Sequence, residues 1–181
     1  GCAGLTSLDL TPLNTSNVTN MSGMFNGCAG LTSIDLTSFN TSNVTEMAQM
    51  FDSCSSLQSL DLSNFDTSKV TDMSAMFHTC SALTSITFGK NFNTSNVTDM
   101  CEMFYECRSL ASLNLSSFDT SNVTNMDSMF YDCRLLTSIN LSKFNTGKVI
   151  SMCEMFRGDT DNGNKLVEIV FPKSFGGAAQ D

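Results

Sequence analysis

Along residues 54–79 the apolar positions fall at Cys54, Leu57, Leu60, Leu62, Phe65, Val70, Met73, Met76 and Phe77, and Ser, Thr, Asn and Asp fill most of the gaps. The same pattern recurs along nearly the whole chain. A Met-Phe pair ends each copy, with its Phe at 25, 51, 77, 104, 130 and 156, in steps of 26, 26, 27, 26 and 26 residues. Six Cys keep the same clock, at 2, 28, 54, 80, 107 and 133. A fixed period in this range marks stacked supersecondary units, each of which buries its apolar face only against its neighbours.

Each unit has three parts. The first is Leu-x-x-Leu-x-Leu, as in Leu31/Ile34/Leu36 and Leu57/Leu60/Leu62, whose alternation is the period of a strand with one buried face. The second is a corner: an inward Phe (39, 65, 92, 118, 144; Leu13 in the first unit), then Asn or Asp, then Thr-Ser or Thr-Gly. Asx and Ser side chains bond the nearby backbone, which suits a turn. The third part runs Val44, Met47, Met50, Phe51, Cys54, and its steps of three, three, one and three predict one stripe of a short helix. Asn43 with Glu46 and Asn96 with Asp99 fit a cap followed by an acid, whereas Lys69 with Asp72 does not. Leu166-Val-Glu-Ile169-Val-Phe171 is a seventh copy of the first part. The expected fold is therefore an α/β repeat solenoid with one parallel strand and one short helix per coil, about seven strands in all.

Two irregularities interrupt the period. Phe88-Gly89-Lys-Asn-Phe92 is one residue longer than Leu62-Ser-Asn-Phe65, which predicts a bulge, and Arg157–Lys165 holds a longer loop. Within that loop, Asp159-Thr-Asp161-Asn-Gly163 resembles part of a calcium loop but lacks its third ligand and distal Glu, so an Asn-Gly turn is the better reading. Gly1-Cys2-Ala-Gly-Leu5 copies Gly27-Cys28-Ala-Gly-Leu31, so the chain opens in mid-repeat and reads as a fragment of a longer array. No composition shift marks a boundary: residues 1–175 read as one solenoid and residues 176–181 as a flexible tail.

The net charge is −9, which argues against nucleic acid or anionic lipid as a partner. The charge is uneven, with seven acidic residues and one basic in residues 1–89 against eleven and eight in the remainder. No apolar run approaches the roughly 20 residues of a membrane-spanning helix, so membrane insertion is not expected. Low charge with abundant Ser, Thr and Asn fits a hydrated extracellular surface.

The Cys-x-x-Leu-x-x-Leu-x-Leu string is similar to the start of a leucine-rich repeat. The fuller string Leu-Asp-Leu-Ser-x-Phe-Asp-Thr-Ser-x-Val-Thr-Asp-Met-x-x-Met-Phe resembles the BspA-like leucine-rich repeats of surface proteins, over residues 1–156. That resemblance implies a curved parallel-strand solenoid, secretion or surface anchoring, a role in adhesion, and no catalytic residues.

Candidate sites follow from stacking. The strand face opposite the core carries Ser33/Asp35, Ser59/Asp61, Ser85/Thr87 and Ser112/Asn114, flanked by Ser7/Asp9 and Ser138/Asn140. It reads either as a concave platform for a protein or carbohydrate, or as a solvated strand face. Carboxylates stacked about 5 Å apart should have raised pKa values unless a cation or donor sits between them. The Cys column reads as small buried thiols, with disulfides between neighbouring coils as the alternative. One His (His78) and no Cys-x-x-Cys pair argue against zinc, and no cofactor is implied. Asn-x-Ser/Thr triplets generated by the repeat make Asn17, Asn43, Asn96 and Asn122 possible glycosylation points. The expectation is a non-enzymatic extracellular or cell-surface interaction or adhesion module. The alternative is a structural subunit whose solenoid ends stack into a filament or stalk. An ice- or mineral-binding face is a weaker option, because regular Thr-x-Thr pairs are absent from the strands.

Overall fold

The structure, a computed structural model, describes residues 1–158 and 165–173. The repeats stack in sequence order. Asn20, Glu46, Asp72, Asp99, Asn125 and Ser151, one from each of six coils, form an unbroken row of parallel bridges. Coils 1–6 are numbered here by the Met-Phe pair that ends each, and residues 165–173 belong to coil 7.

The expected helix does not form. Among the described residues there is no α-helix, and there are four short strands rather than about seven: β1 (Ser59–Leu62), β2 (Ser85–Phe88), β3 (Ser138–Asn140) and β4 (Glu168–Val170). β1 pairs with β2 and β3 with β4, both in parallel. The helix-plus-strand leucine-rich-repeat solenoid is thereby overturned.

The physical reason lies in where the Met-Phe backbone sends its hydrogen bonds. Every second amide donates to the next coil: Met47 to the Asp72 carbonyl (3.0 Å), Gln49 to Ser74 (2.9 Å), Phe51 to Met76 (2.9 Å) and Ser53 to His78 (2.8 Å). The amides between them close four-residue turns within the coil, such as Met50 to Met47 (3.2 Å) and Cys54 to Phe51 (3.1 Å). In these two turns the third residue is left-handed, Gln49 (φ 58°) and Ser53 (φ 60°). That is the geometry of a type II turn. Helix needs φ near −63° throughout, so a left-handed residue at every fourth position forbids it. Coil 1 meets the same demand with Gly23 (φ 64°) and Gly27 (φ 70°).

The inward side chains are those the sequence predicts. Met47, Met50, Phe51, Cys54, Leu57, Leu62 and Phe65 are all buried, as are most of their equivalents. The Phe of each Met-Phe pair stacks on the next, Phe25 on Phe51 at 5.5 Å and so on to Phe130 on Phe156 at 5.6 Å. At the corner, each buried Thr stitches two coils: Thr67 Oγ1 donates to the Asn93 carbonyl and accepts from the Asn93 amide, both at 2.7 Å. The Asx residue before it accepts from the amide two residues on, as Asn40 does from Ser42 (3.1 Å), so the corner is the Asx turn expected. From Cys54 to Cys133, each thiol of the Cys column donates to the carbonyl of the Phe 29 or 30 residues earlier, Cys80 to Phe51 at 3.1 Å and Cys107 to Phe77 at 3.2 Å.

Candidate functional site

The ladder along the Met-Phe side is continuous, but the strand side is not. β2 pairs with coil 3 and β3 with coil 7, while the Leu frame of coil 5 pairs with neither neighbour. The amides of residues 111–115 make no backbone hydrogen bond among the described residues, although Leu115 is buried. The bulge borders this interruption, and among the described residues the Leu frames of coils 1 and 2, which have no bulge, are unpaired as well. Gly89 lies so close to coil 3 that a Cβ there would come within 2.0 Å of the Ser63 carbonyl oxygen. Phe88, standing where β1 has Leu62, sets its ring edge-on to Phe118 of coil 5 at 5.2 Å.

Clefts open where the pairing stops. One of about 390 Å³ lies between Ile86–Lys90 of coil 4 and Asn114, Ser116 and Ser117 of coil 5. A second, of about 150 Å³, lies between Leu113–Ser116 and Asn140, Ser142 and Lys143 of coil 6. A third, of about 240 Å³, lies behind the bulge, between Asp66, Ser68 and Lys90–Asn93.

All eight predicted strand-face residues are exposed. Ser59 sits beside Ser85 and Asp61 beside Thr87 in register. Of the eight, only Thr87 and Asn114 line these clefts, and both line the cleft of about 390 Å³. The acidic half behaves differently from expectation. Asp9, Asp35 and Asp61 are held below the usual carboxylate range rather than raised, because the residue two positions on donates to each, side chain first and amide second. Thr37 donates to Asp35 through Oγ1 at 2.7 Å and its amide at 2.9 Å. Each carboxylate closes a turn after the Leu frame of its coil, and these local donors set the direction of the shift.

The possible glycosylation points are unequal. The side-chain amides of Asn43, Asn96 and Asn122 donate to the carbonyls of Ser16, Ser68 and Ser95 in the preceding coil, at 2.9, 2.7 and 2.7 Å. A sugar on that nitrogen would compete with the stitch. Asn17 is exposed and has no such bond among the described residues. The calcium-like stretch 159–163 lies outside the described residues.

Sequence reasoning missed a second feature, on the Met-Phe side. The position after each Phe reads Asn26, Asp52, His78, Tyr105, Tyr131 and Arg157. Stacking turns this into a column. Asn26 donates to Asp52 (3.0 Å), His78 Nδ1 lies 2.9 Å from Asp52, His78 stacks on Tyr105 at 4.7 Å, Tyr105 on Tyr131 at 4.5 Å, and Arg157 lies 6.0 Å from the Tyr131 ring centre. Beside it the buried Asp132 receives Arg108 and Arg134, both at 2.9 Å. The available signal was that this position varies chemically while its neighbours repeat. The rings cover one another's faces, so the column offers edges and hydroxyls rather than an open stacking platform.

Among the described residues no three His, Cys, Asp or Glu side chains gather as metal ligands, and no helix is long and apolar enough to cross a membrane.

No curated protein matches the chain. One family matches residues 2–88 and again residues 84–168, each match spanning about three coils. The chain belongs to the repeat family described as "Mycoplasma protein of unknown function, DUF285".

Proposed function

We propose that this chain is a non-enzymatic interaction module of the extracellular or cell-surface kind, binding a protein or a glycan through its strand face at coils 4–6. The observation that carries the reading is the pair of clefts flanking coil 5, lined by Thr87, Asn114 and neighbouring hydroxyls. Concave sites with a few convergent polar groups are where ligands bind. The likeness to BspA-like surface repeats supports the surface setting and the adhesive role.

The test pairs binding with location. The chain is presented to immobilised extracellular proteins and to a glycan array, beside Asn114→Trp, which fills the cleft, and Asp35→Trp, which alters the face away from it. Binding that falls about tenfold in the first variant alone supports the reading. Binding untouched by Asn114→Trp, or none by either class, overturns it. Protease treatment of intact cells should remove the chain from them; full protection would contradict the surface assignment.

A further inference from the structure

The strand side changes sign along the stack. Between the first Leu and the corner, coils 1–3 carry Asp9, Asp35 and Asp61 and no basic residue. The same stretch of coils 4–6 carries no acidic residue, replaces the Asp with Thr87, Asn114 and Asn140, and adds Lys90 and Lys143. Both lysines are exposed, and neither enters an ion pair among the described residues. Lys69 and Lys148, by contrast, are tied to Asn43 (2.8 Å) and Asn122 (2.6 Å). In a chain of net charge −9 this is a local reversal, and it coincides with the two clefts.

We propose that coils 4–6 bind an acidic, extended peptide, laid along the stack with carboxylates on Lys90 and Lys143. The proposal rests on the reading of the strand face as the binding face and names its ligand. Lys90 and Lys143 stand two coils apart, which is about 10 Å if the coil interval of a parallel ladder holds across unpaired coil 5. A polyproline-type peptide, with three residues per turn and a rise of about 3.1 Å each, puts positions i and i+3 on one side about 9 Å apart. Acidic residues at that interval match the lysines. An apolar residue between them meets Ile86 and Phe88 in the larger cleft or Leu113 and Leu115 in the smaller. Ile86 and Phe88, both half-buried, give such a side chain an apolar contact beside the hydroxyls of the cleft, and the two lysines supply the charge that selects an acidic ligand. Acidic coils 1–3 repel the same peptide and set where it stops.

The experiment is fluorescence polarisation with short synthetic peptides bearing Glu at i and i+3 around a Leu, beside Gln counterparts. It uses the whole chain, Lys90→Glu/Lys143→Glu, and the charge-matched control Lys69→Glu/Lys148→Glu. The expected result is tighter binding of the Glu peptide, weakening as salt rises to roughly 0.15 M. It should fall about tenfold in the first double variant and hold in the control. Equal binding of Glu and Gln peptides, or equal loss in both double variants, overturns the proposal. Dextran sulfate bound with the same lysine dependence, with no peptide bound, replaces the peptide by a glycan while leaving the strand-face reading intact. Loss of natural binding in Asn114→Trp tests that reading separately.

Discussion

Single residues hold this stack through contacts that repeat once per coil. Thr67 is buried, and its hydroxyl serves both the amide and the carbonyl of Asn93. Thr67→Val keeps the shape and removes the buried hydroxyl that both the amide and the carbonyl of Asn93 use, so urea unfolding should show a loss of about 1–2 kcal/mol. Thr71→Val, at an exposed position, should stay within about 0.5 kcal/mol. Gly89 is held by space rather than by φ: its Cβ would collide with the Ser63 carbonyl. Gly89→Ala should lower stability by about 1–3 kcal/mol, and an unchanged melting temperature would refute the close approach. The thiols set an alkaline limit. Burial, the largest cause, pushes Cys54 and Cys133 up to about 12 from 9.0. The unfolded chain releases those protons first, so their stabilisation is complete below pH 9, shrinks above it and is gone by about 12. Denaturation midpoints measured across that window should fall with pH, while Cys2 and Cys153, both exposed, alkylate in the folded chain ahead of the buried column.

The Met-Phe segment is the element at which the sequence pattern misleads. Steps of three, three, one and three put Met47, Met50, Phe51 and Cys54 on one side of a helix, and a ribbon of turns does the same, so periodicity cannot separate the two. Gly23 and Gly27 in coil 1 were the visible sign, since they mark the two left-handed positions that Gln49 and Ser53 occupy in coil 2. The inward columns and the Asx corner were legible because they depend only on spacing and side-chain chemistry. The break in strand pairing was not, because Leu113 and Leu115, which do not pair among the described residues, look the same as Leu60 and Leu62, which do, and Ile34 and Leu36 are unpaired too. Of the site, Thr87 and Asn114 were named as two of many, and the clefts that single them out arise only from packing. A left-handed residue other than Gly costs about 1–2 kcal/mol. Gln49→Gly should therefore raise stability, by about 0.5–1 kcal/mol after the greater chain entropy of Gly is counted. The far-ultraviolet circular dichroism spectrum should lack a helical minimum, and a strong one would restore the helix.

At the scale of the molecule the two sides of the stack do different work. The Met-Phe side carries an unbroken ladder from Asn20 to Ser151 and holds neighbouring coils at a constant interval. Among the described residues the strand side is paired at coils 3–4 and 6–7 and unpaired at coils 1–2 and at coil 5; the clefts with Lys90 and Lys143 lie around coil 5. The proposed site combines such an unpaired stretch with clefts and a local excess of lysine. Amide hydrogen exchange on the free chain, read residue by residue, tests this most directly. The amides of Glu102, Phe104 and Glu106, each of which donates to the next coil, should exchange slowly, and those of residues 111–115 should exchange quickly, although both stretches border the same core. Protection of 111–115 equal to that of the ladder would mean that the strand side is closed through coil 5, and would contradict the site proposed there.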